Sequence, residues 1–307
     1  MHNNTRRWWS DYLQPRFWPT WLLFALLWLL TRLPVAWQLR SGRLIGHLAR
    51  LVARQRRAIA AVNIRLCFPQ LPAREQARLV RSHFLSLGQG VMETALCWWG
   101  RDEQLRHNHL LIGEQHLLNA HRRGKGVILL SAHFTTLELG GRLLALHQPF
   151  HVLYRQHKNP LFETVMQRGR ARRFLSAIPR NDTRTLLKRL GENHAVWYAP
   201  DQNHAGKQSV FAPFFGIQAS TLTTTSRLAK ISGAAVVPFF QVRLPGSQGY
   251  LLVLCPALEA FPGDDLQADA ARINRLIEAV AREVPEQYLW VHRRFKTRPP
   301  GESCPYP

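Results

Sequence analysis

The chain has 307 residues, 46% of them hydrophobic, long enough to bury a sizeable core in one main domain with a helical N-terminal extension. Lys+Arg 41 against Asp+Glu 19 leaves a net charge of +22, which points to a polyanionic partner: nucleic acid, anionic lipid headgroups or an acidic protein. Cys67, Cys97, Cys255 and Cys304 show neither close pairing nor zinc spacing, so no disulfide framework, metal or cofactor is expected, and reduced thiols in a cytoplasmic domain fit them.

The first element is a membrane signal. Residues 21–30 form an uninterrupted apolar run, and apolar character extends loosely over 17–37. Pro19, Thr31, Arg32 and Pro34 interrupt its flanks. The core is shorter than the ~20 residues of a comfortable span, so a short transmembrane helix and a helix lying in the interface both stay open. Trp8, Trp9, Trp18 and Trp37 stand where interfacial anchors would stand. No small-x-small site follows, which argues against a cleaved signal peptide. Arg6, Arg7 and Arg16 precede the run, whereas Arg32, Arg40, Arg43, Arg50, Arg54, Arg56 and Arg57 follow it. If the run spans, this asymmetry puts the main domain in the cytoplasm.

From residue 34 to 100 the pattern is helical. Over 43–59, Leu44, Ile45, Leu48, Leu51 and Val52 alternate with arginines, as in a helix on anionic headgroups or one packed on a core with a basic outer face. Pro69 and Pro72 precede a second helical run, 74–96. After about residue 110 the reading becomes α/β. Strands are expected at 127–131, 151–154, 195–198, 235–240 and 250–254, with helices at 137–146, 160–174, 183–191, 220–232 and 266–282. Pro245-Gly246-Ser247 would join the last two strands as a hairpin, giving a mixed sheet flanked by helices. The expected organisation is an anchor over 1–40, a helical region over 41–109 and an α/β domain over 110–307.

At the end of the first strand stands His133, with Glu138 in the first turn of the next helix. Residues five apart on a regular helix do not face each other, so a turn must bring them together. A carboxylate that accepts the proton of one imidazole nitrogen leaves the other free as a base. A helix-start histidine with an acid near the positive end of the helix dipole is the structural alternative. His109 and Glu114 repeat the spacing in a setting less clearly a strand feeding a helix, and are set aside as a decoy. Ser131 has no Gly-x-Ser-x-Gly elbow around it and reads as a strand-end serine.

Longer blocks surround this motif. They are Asn63-Ile-Arg-Leu-Cys-Phe-Pro69, Gly126-Val-Ile-Leu-Leu-Ser-Ala-His-Phe134 with Glu138, Tyr154-Arg155 with Asn159-Pro160, Val196-Trp-Tyr-Ala-Pro-Asp-Gln202, Val210-Phe-Ala-Pro-Phe-Phe-Gly216 and Glu286-Gln-Tyr-Leu-Trp-Val-His-Arg-Arg-Phe-Lys-Thr-Arg-Pro299. From about residue 56 to 301 the chain resembles the late acyltransferases of lipid A biosynthesis, the lauroyl/myristoyl-transferase family of Gram-negative bacteria. The resemblance implies a glycerolipid-acyltransferase-like fold on the cytoplasmic face of the inner membrane. It also implies transfer of a fatty acyl chain, laurate first, from acyl carrier protein to a hydroxyl of a lipid A precursor. His133 would be the base, Glu138 its orienting acid, and Arg170 the cation beside the dyad that meets the oxyanion. Asp201, at a strand end, resembles the acid of a further motif block in glycerolipid acyltransferases and is a substrate-binding candidate. Arg155 is a candidate for a substrate phosphate, Arg180 is a substrate-binding candidate like Asp201, and Arg293 and Arg294 are candidates to hold lipid phosphates or the carrier protein. The aromatic stretch 210–216 lines an acyl pocket, touches the bilayer or packs in the core.

Three other readings compete. A nucleic-acid binder would explain the charge, but no zinc finger, RRM signature or basic zipper is present and the arginines are scattered. A non-catalytic membrane scaffold would tolerate loss of His133. An acyltransferase with another acceptor, such as lysophosphatidate or a glycolipid, would differ only in product.

Overall fold

The computed structural model describes residues 8–307; Arg6 and Arg7, used above for orientation, lie outside them. Five helices come first: α1 (Trp18–Leu30), α2 (Val35–Val52), α3 (Arg54–Cys67), α4 (Ala73–Trp99) and α5 (Asp102–Arg106). Strands and helices then alternate as β1 (His109–Ile112), α6 (Glu114–His121), β2 (Val127–Leu130), α7 (Leu137–Ala145), β3 (Phe150–Tyr154), α8 (Pro160–Ala171), β4 (Ser176–Pro179), α9 (Thr183–Gly191) and β5 (Ala195–Tyr198). The hairpin β6 (Ser209–Phe214) and β7 (Ile217–Leu222) follows, then α10 (Thr224–Ser232), β8 (Ala235–Arg243), β9 (Tyr250–Leu254) and α11 (Leu266–Glu283).

Seven strands form one sheet in the order β1-β9-β8-β2-β5-β3-β4. All neighbours are parallel except β8 and β9, which the turn at 245–247 joins as an antiparallel pair. The mixed sheet is therefore as expected, and every expected strand is present. β2 sits at the centre and is buried along its whole length, because helices cover both faces. Ile128 and Leu130 face a core shared with Phe84 of α4 and Ile277 of α11. Val127 and Leu129 face the opposite core, shared with Leu117 of α6 and Leu143 of α7. The chain leaves β2 for β3 and β4, returns to β5 beside β2, and later places β8 on the other side of β2. That reversal of order opens a crevice at the carboxyl ends of β2 and β5, the usual position of ligands in such sheets.

The helical region differs from expectation in two places. The run over 43–59 is broken at Ala53, where α2 stops and α3 starts. α2 lies against α4 through glycines: a Cβ on Gly88 would stand 2.0 Å from Gly42 O and 2.2 Å from Gly46 N. The transmembrane alternative is corrected: no helix among the described residues is long and apolar enough to cross a membrane. α1 has 13 residues, about 20 Å of helix. Phe24 and Leu27 bury one side of it against Trp98 and Met92 of α4, while Leu22, Leu26 and Leu29 face outward.

The stretch 210–216 forms β6 and its turn, and Phe214 and Phe215 are buried against Tyr288 and Trp290, so these two rings pack in the core.

Candidate active site

The apolar strand β2 ends at Leu130, and the chain continues through Ser131 and Ala132 to His133. β5 runs parallel beside it, with Leu130 paired to Tyr198, and continues to Asp201. Two neighbouring strand ends therefore place His133 and Asp201 side by side. His133 Nδ1 lies 2.6 Å from Asp201 Oδ1, and the His133 backbone N–H donates to Asp201 Oδ2 at 3.0 Å. Both carboxylate oxygens are thus engaged by one residue. Asp201 is 3% exposed and the His133 side chain 28%, so the acid is sealed in while the imidazole keeps a path outward. The turn carrying His133 is clamped by the segment after α11: Leu289 N donates to His133 O and Thr135 N to Gln287 O.

Electrostatics follow from this packing. Burial disfavours the imidazolium of His133, but the Asp201 charge and hydrogen bond outweigh it, and the pKa is raised. For Asp201, burial raises the pKa, while the charge and hydrogen bonds of His133 and the field of Arg294 lower it to about 2. His292 borders the same recess, where burial pulls its pKa down to about 4 and keeps it neutral; its Nε2 accepts from Asn203 N at 2.9 Å.

Glu138 makes no hydrogen bond or ion pair with His133 among the described residues, so the structure does not bring the two expected dyad members into contact. It opens α7, whose first turn directs it toward α8, where it accepts hydrogen bonds from Arg170 through Nη2 and, at 3.4 Å, Nε. Arg170 also stacks 5.7 Å from the Tyr154 ring. The Glu138–Arg170 pair borders a narrow apolar recess with Phe150, Val152, Phe174 and Trp197. Asp201, expected to meet substrate, is instead buried against His133. The spacing of the motif could not reveal this, because the pairing depends on which strand lies beside β2.

Arg294 lies inside the fold. It is buried and donates to Ser220 O, Thr221 Oγ1 and Asn274 Oδ1, so it is spent on holding β7 and α11. Arg293 donates to Pro307 O at 3.0 Å and lies over the Tyr306 ring. Arg155 and Arg180 are exposed just beyond the carboxyl ends of β3 and β4, on the same sheet edge as His133. Ser131 is fully buried with its hydroxyl toward Gln241. His109 and Glu114 do flank a strand and a helix, but His109 meets His147 and Glu114 meets Gln148. His292 and Tyr288 were not singled out from sequence, although both stand in the last motif block. Among the described residues no cluster of three or more His, Cys, Asp or Glu is arranged to hold a metal ion.

Comparison with known proteins adds the chemical context. The family described as bacterial lipid A biosynthesis acyltransferase matches residues 8–297. The lipid A biosynthesis palmitoleoyltransferase of Escherichia coli K12 is 41% identical over 297 residues, covering 96% of this chain and 97% of its own. The lauroyltransferase of the same strain is 39% identical, covering 96% of each chain. Its myristoyltransferase is 28% identical, covering 97% of this chain and 93% of its own.

Proposed function

Since this chain belongs to the bacterial lipid A biosynthesis acyltransferase family, and is an acyltransferase of that pathway, we propose that His133 and Asp201 form its catalytic dyad. The observation that carries this is the 2.6 Å contact between His133 Nδ1 and Asp201 Oδ1. Nδ1 donates its proton to the carboxylate, which leaves Nε2 unprotonated in the neutral ring and able to act as a base. In the proposed reaction Nε2 takes the proton of an acceptor hydroxyl as its oxygen attacks the thioester carbonyl carbon. The carbon–sulfur bond then breaks, and the departing thiolate takes the proton back from the imidazolium. The ester product and a free carrier thiol leave. Asp201 stabilises the imidazolium in between. Arg170, aimed by Glu138, supplies positive charge near the reacting carbonyl. The apolar recess beside that pair receives the first carbons of the acyl chain. Arg155 and Arg180 meet the phosphates of the acceptor at the same sheet edge.

The donor is proposed to be acyl carrier protein, an acidic partner that suits a chain of net charge +22. The acceptor is a hydroxyl of a lipid A precursor. Laurate is proposed as the transferred chain. Palmitoleate is the second reading, because a relative of that name is as similar as the lauroyltransferase, 41% against 39% identity. The enzyme is proposed to sit on the cytoplasmic face of the inner membrane, with the outward leucines of α1 and α2 in the interface.

Purified enzyme, a lipid A precursor and an equal mixture of lauroyl-, palmitoleoyl- and myristoyl-carrier protein, with products weighed by mass spectrometry, test this. The lauroyl product should dominate. Dominance of either other chain would overturn the chain assignment, and no product from any donor would overturn the donor and acceptor together.

A further inference from the structure

A cavity of about 650 Å³ lies between α2, α4, the β8–β9 turn and the end of α11. It shares no lining residue with the recess at His133 or with the one at Glu138. Its walls carry opposite charges. α2 contributes Arg40 and Arg43, and the chain around the end of α11 contributes Glu283 and Glu286. Arg43 and Glu283 have no ion-pair partner among the described residues. Arg40 lies over the Trp37 ring at 5.1 Å, and its N–H groups make no hydrogen bond or ion pair among the described residues. The third arginine of the lining, Arg243, is different: it is buried and committed to Glu93, Ser86 and Gln89. The cavity floor is therefore structural, and its rim holds cations and acids that a ligand can reach, Glu286 with one carboxylate oxygen already accepting from Gln287 Nε2 at 3.3 Å.

Helical phase connects this rim to the outer surface. Trp37, Leu44, Leu48 and Leu51 recur on one face of α2 and are 56%, 60%, 53% and 48% exposed. The glycine face of α2, Gly42 and Gly46, is turned onto α4. Arg40 lies three residues after Trp37 and four before Leu44, at the border of the apolar stripe, and Arg43 lies next to it toward the cavity. A molecule in the cavity thus has its polar end among charges and its exit along four large apolar side chains. That is the layout of a lipid headgroup with its tails directed into a bilayer.

The charges select among headgroups. A guanidinium pair suits a phosphate, which it can meet with paired N–H donors. The two carboxylates repel a headgroup that is only anionic. They favour a primary ammonium, whose three N–H donors a quaternary ammonium lacks. We propose that this cavity binds the headgroup of a membrane phospholipid carrying both a phosphate and a primary ammonium, as in phosphatidylethanolamine. Arg40 and Arg43 take the phosphate, and Glu283 and Glu286 the ammonium. This rests on the reading of the outward face of α1 and α2 as the membrane-contacting face.

The test is flotation of the full-length protein with phosphatidylcholine vesicles and with vesicles containing equal phosphatidylcholine and phosphatidylethanolamine. Both surfaces are neutral, so the bulk charge of the protein does not favour either. Wild type should bind the mixed vesicles about tenfold more tightly, the scale of one charge-assisted contact set. In the Glu283→Gln/Glu286→Gln variant that preference should vanish while binding to phosphatidylcholine stays. In Arg40→Gln/Arg43→Gln both should weaken. An unchanged preference in the glutamine variant at 283 and 286 would overturn the proposal, since membrane packing alone would then explain it. Soluble phosphoethanolamine binding the protein without vesicles as tightly as the mixed vesicles do would overturn the lipid as the source. Acyl transfer in detergent separates the two readings: normal transfer with no headgroup preference removes the cavity proposal alone, and absent transfer by wild type removes the function reading.

Discussion

At the scale of single residues, the proposed mechanism turns on the contact between His133 and Asp201. His133→Ala removes the base and should lower kcat roughly 10²–10⁴-fold with the fold intact; a purified variant with wild-type turnover would contradict the assignment. Asp201→Asn tests the pKa logic. In wild type, burial lowers the His133 pKa and Asp201 more than offsets it. Transfer requires the neutral ring, so kcat/KM should rise with pH through this raised pKa. Without the carboxylate only burial remains, the ring stays neutral to lower pH, and the acid limb of kcat/KM should move down while the plateau falls. An acid limb that stays in place would mean that another group titrates. Glu138→Gln should leave that limb unmoved, because Glu138 faces Arg170 instead. It should still reduce turnover by leaving Arg170, only 12% exposed, without its counter-charge. His133 was legible from sequence because an apolar run delivers it to a strand end. Which acid lies against it was not, since Glu138 and Asp201 both stand at plausible places and only the pairing of β5 with β2 brings Asp201 into contact.

Among the elements, the close approach of α2 and α4 is the most demanding packing in the helical region. Gly88→Ala would drive a Cβ into the backbone of Gly42 and Gly46. It should cost about 1–3 kcal/mol, as other overpacked sites do, and read out as a lowered Tm. Gly191→Ala is the control: nothing lies within 4 Å of its added Cβ, and no loss is expected. A Gly88→Ala protein as stable as the control would mean that the helices separate at no cost. Sequence pattern located β2, β3, β5, β8 and β9, whose apolar runs are buried or half-buried. It missed β1 and β4 at the two sheet edges, where His109 and Ser176 open short strands with only one neighbour. The β6–β7 hairpin hid in an aromatic stretch because Pro213 and the Phe215-Gly216 turn resemble a loop. At 220–232 the expected helix began too early, since Ser220–Leu222 completes β7 before Thr224 starts α10.

For the whole molecule, charge and apolar exposure fall into a pattern. The sheet edge that carries His133 also carries the exposed cations Arg155 and Arg180, while α1 and α2 carry the exposed leucines. One surface suits polyanionic substrates and the other suits a lipid interface. Replacing Leu44 and Leu48 by Glu should release the protein from vesicles at moderate salt, with transfer in detergent retained; continued vesicle binding would locate the membrane contact elsewhere. The short apolar run at 21–30 announced a membrane signal, but its geometry was set by tertiary contacts. Phe24 and Leu27 found Trp98 and Met92, which ties α1 to the domain. The measurement that bears most directly on the account is the mass of lipid A from a bacterial strain lacking this protein, complemented with wild type or with His133→Ala. The account predicts lipid A lighter by one secondary acyl chain, restored by wild type and not by His133→Ala. Unchanged lipid A in the deletion strain, or full restoration by His133→Ala, would contradict it.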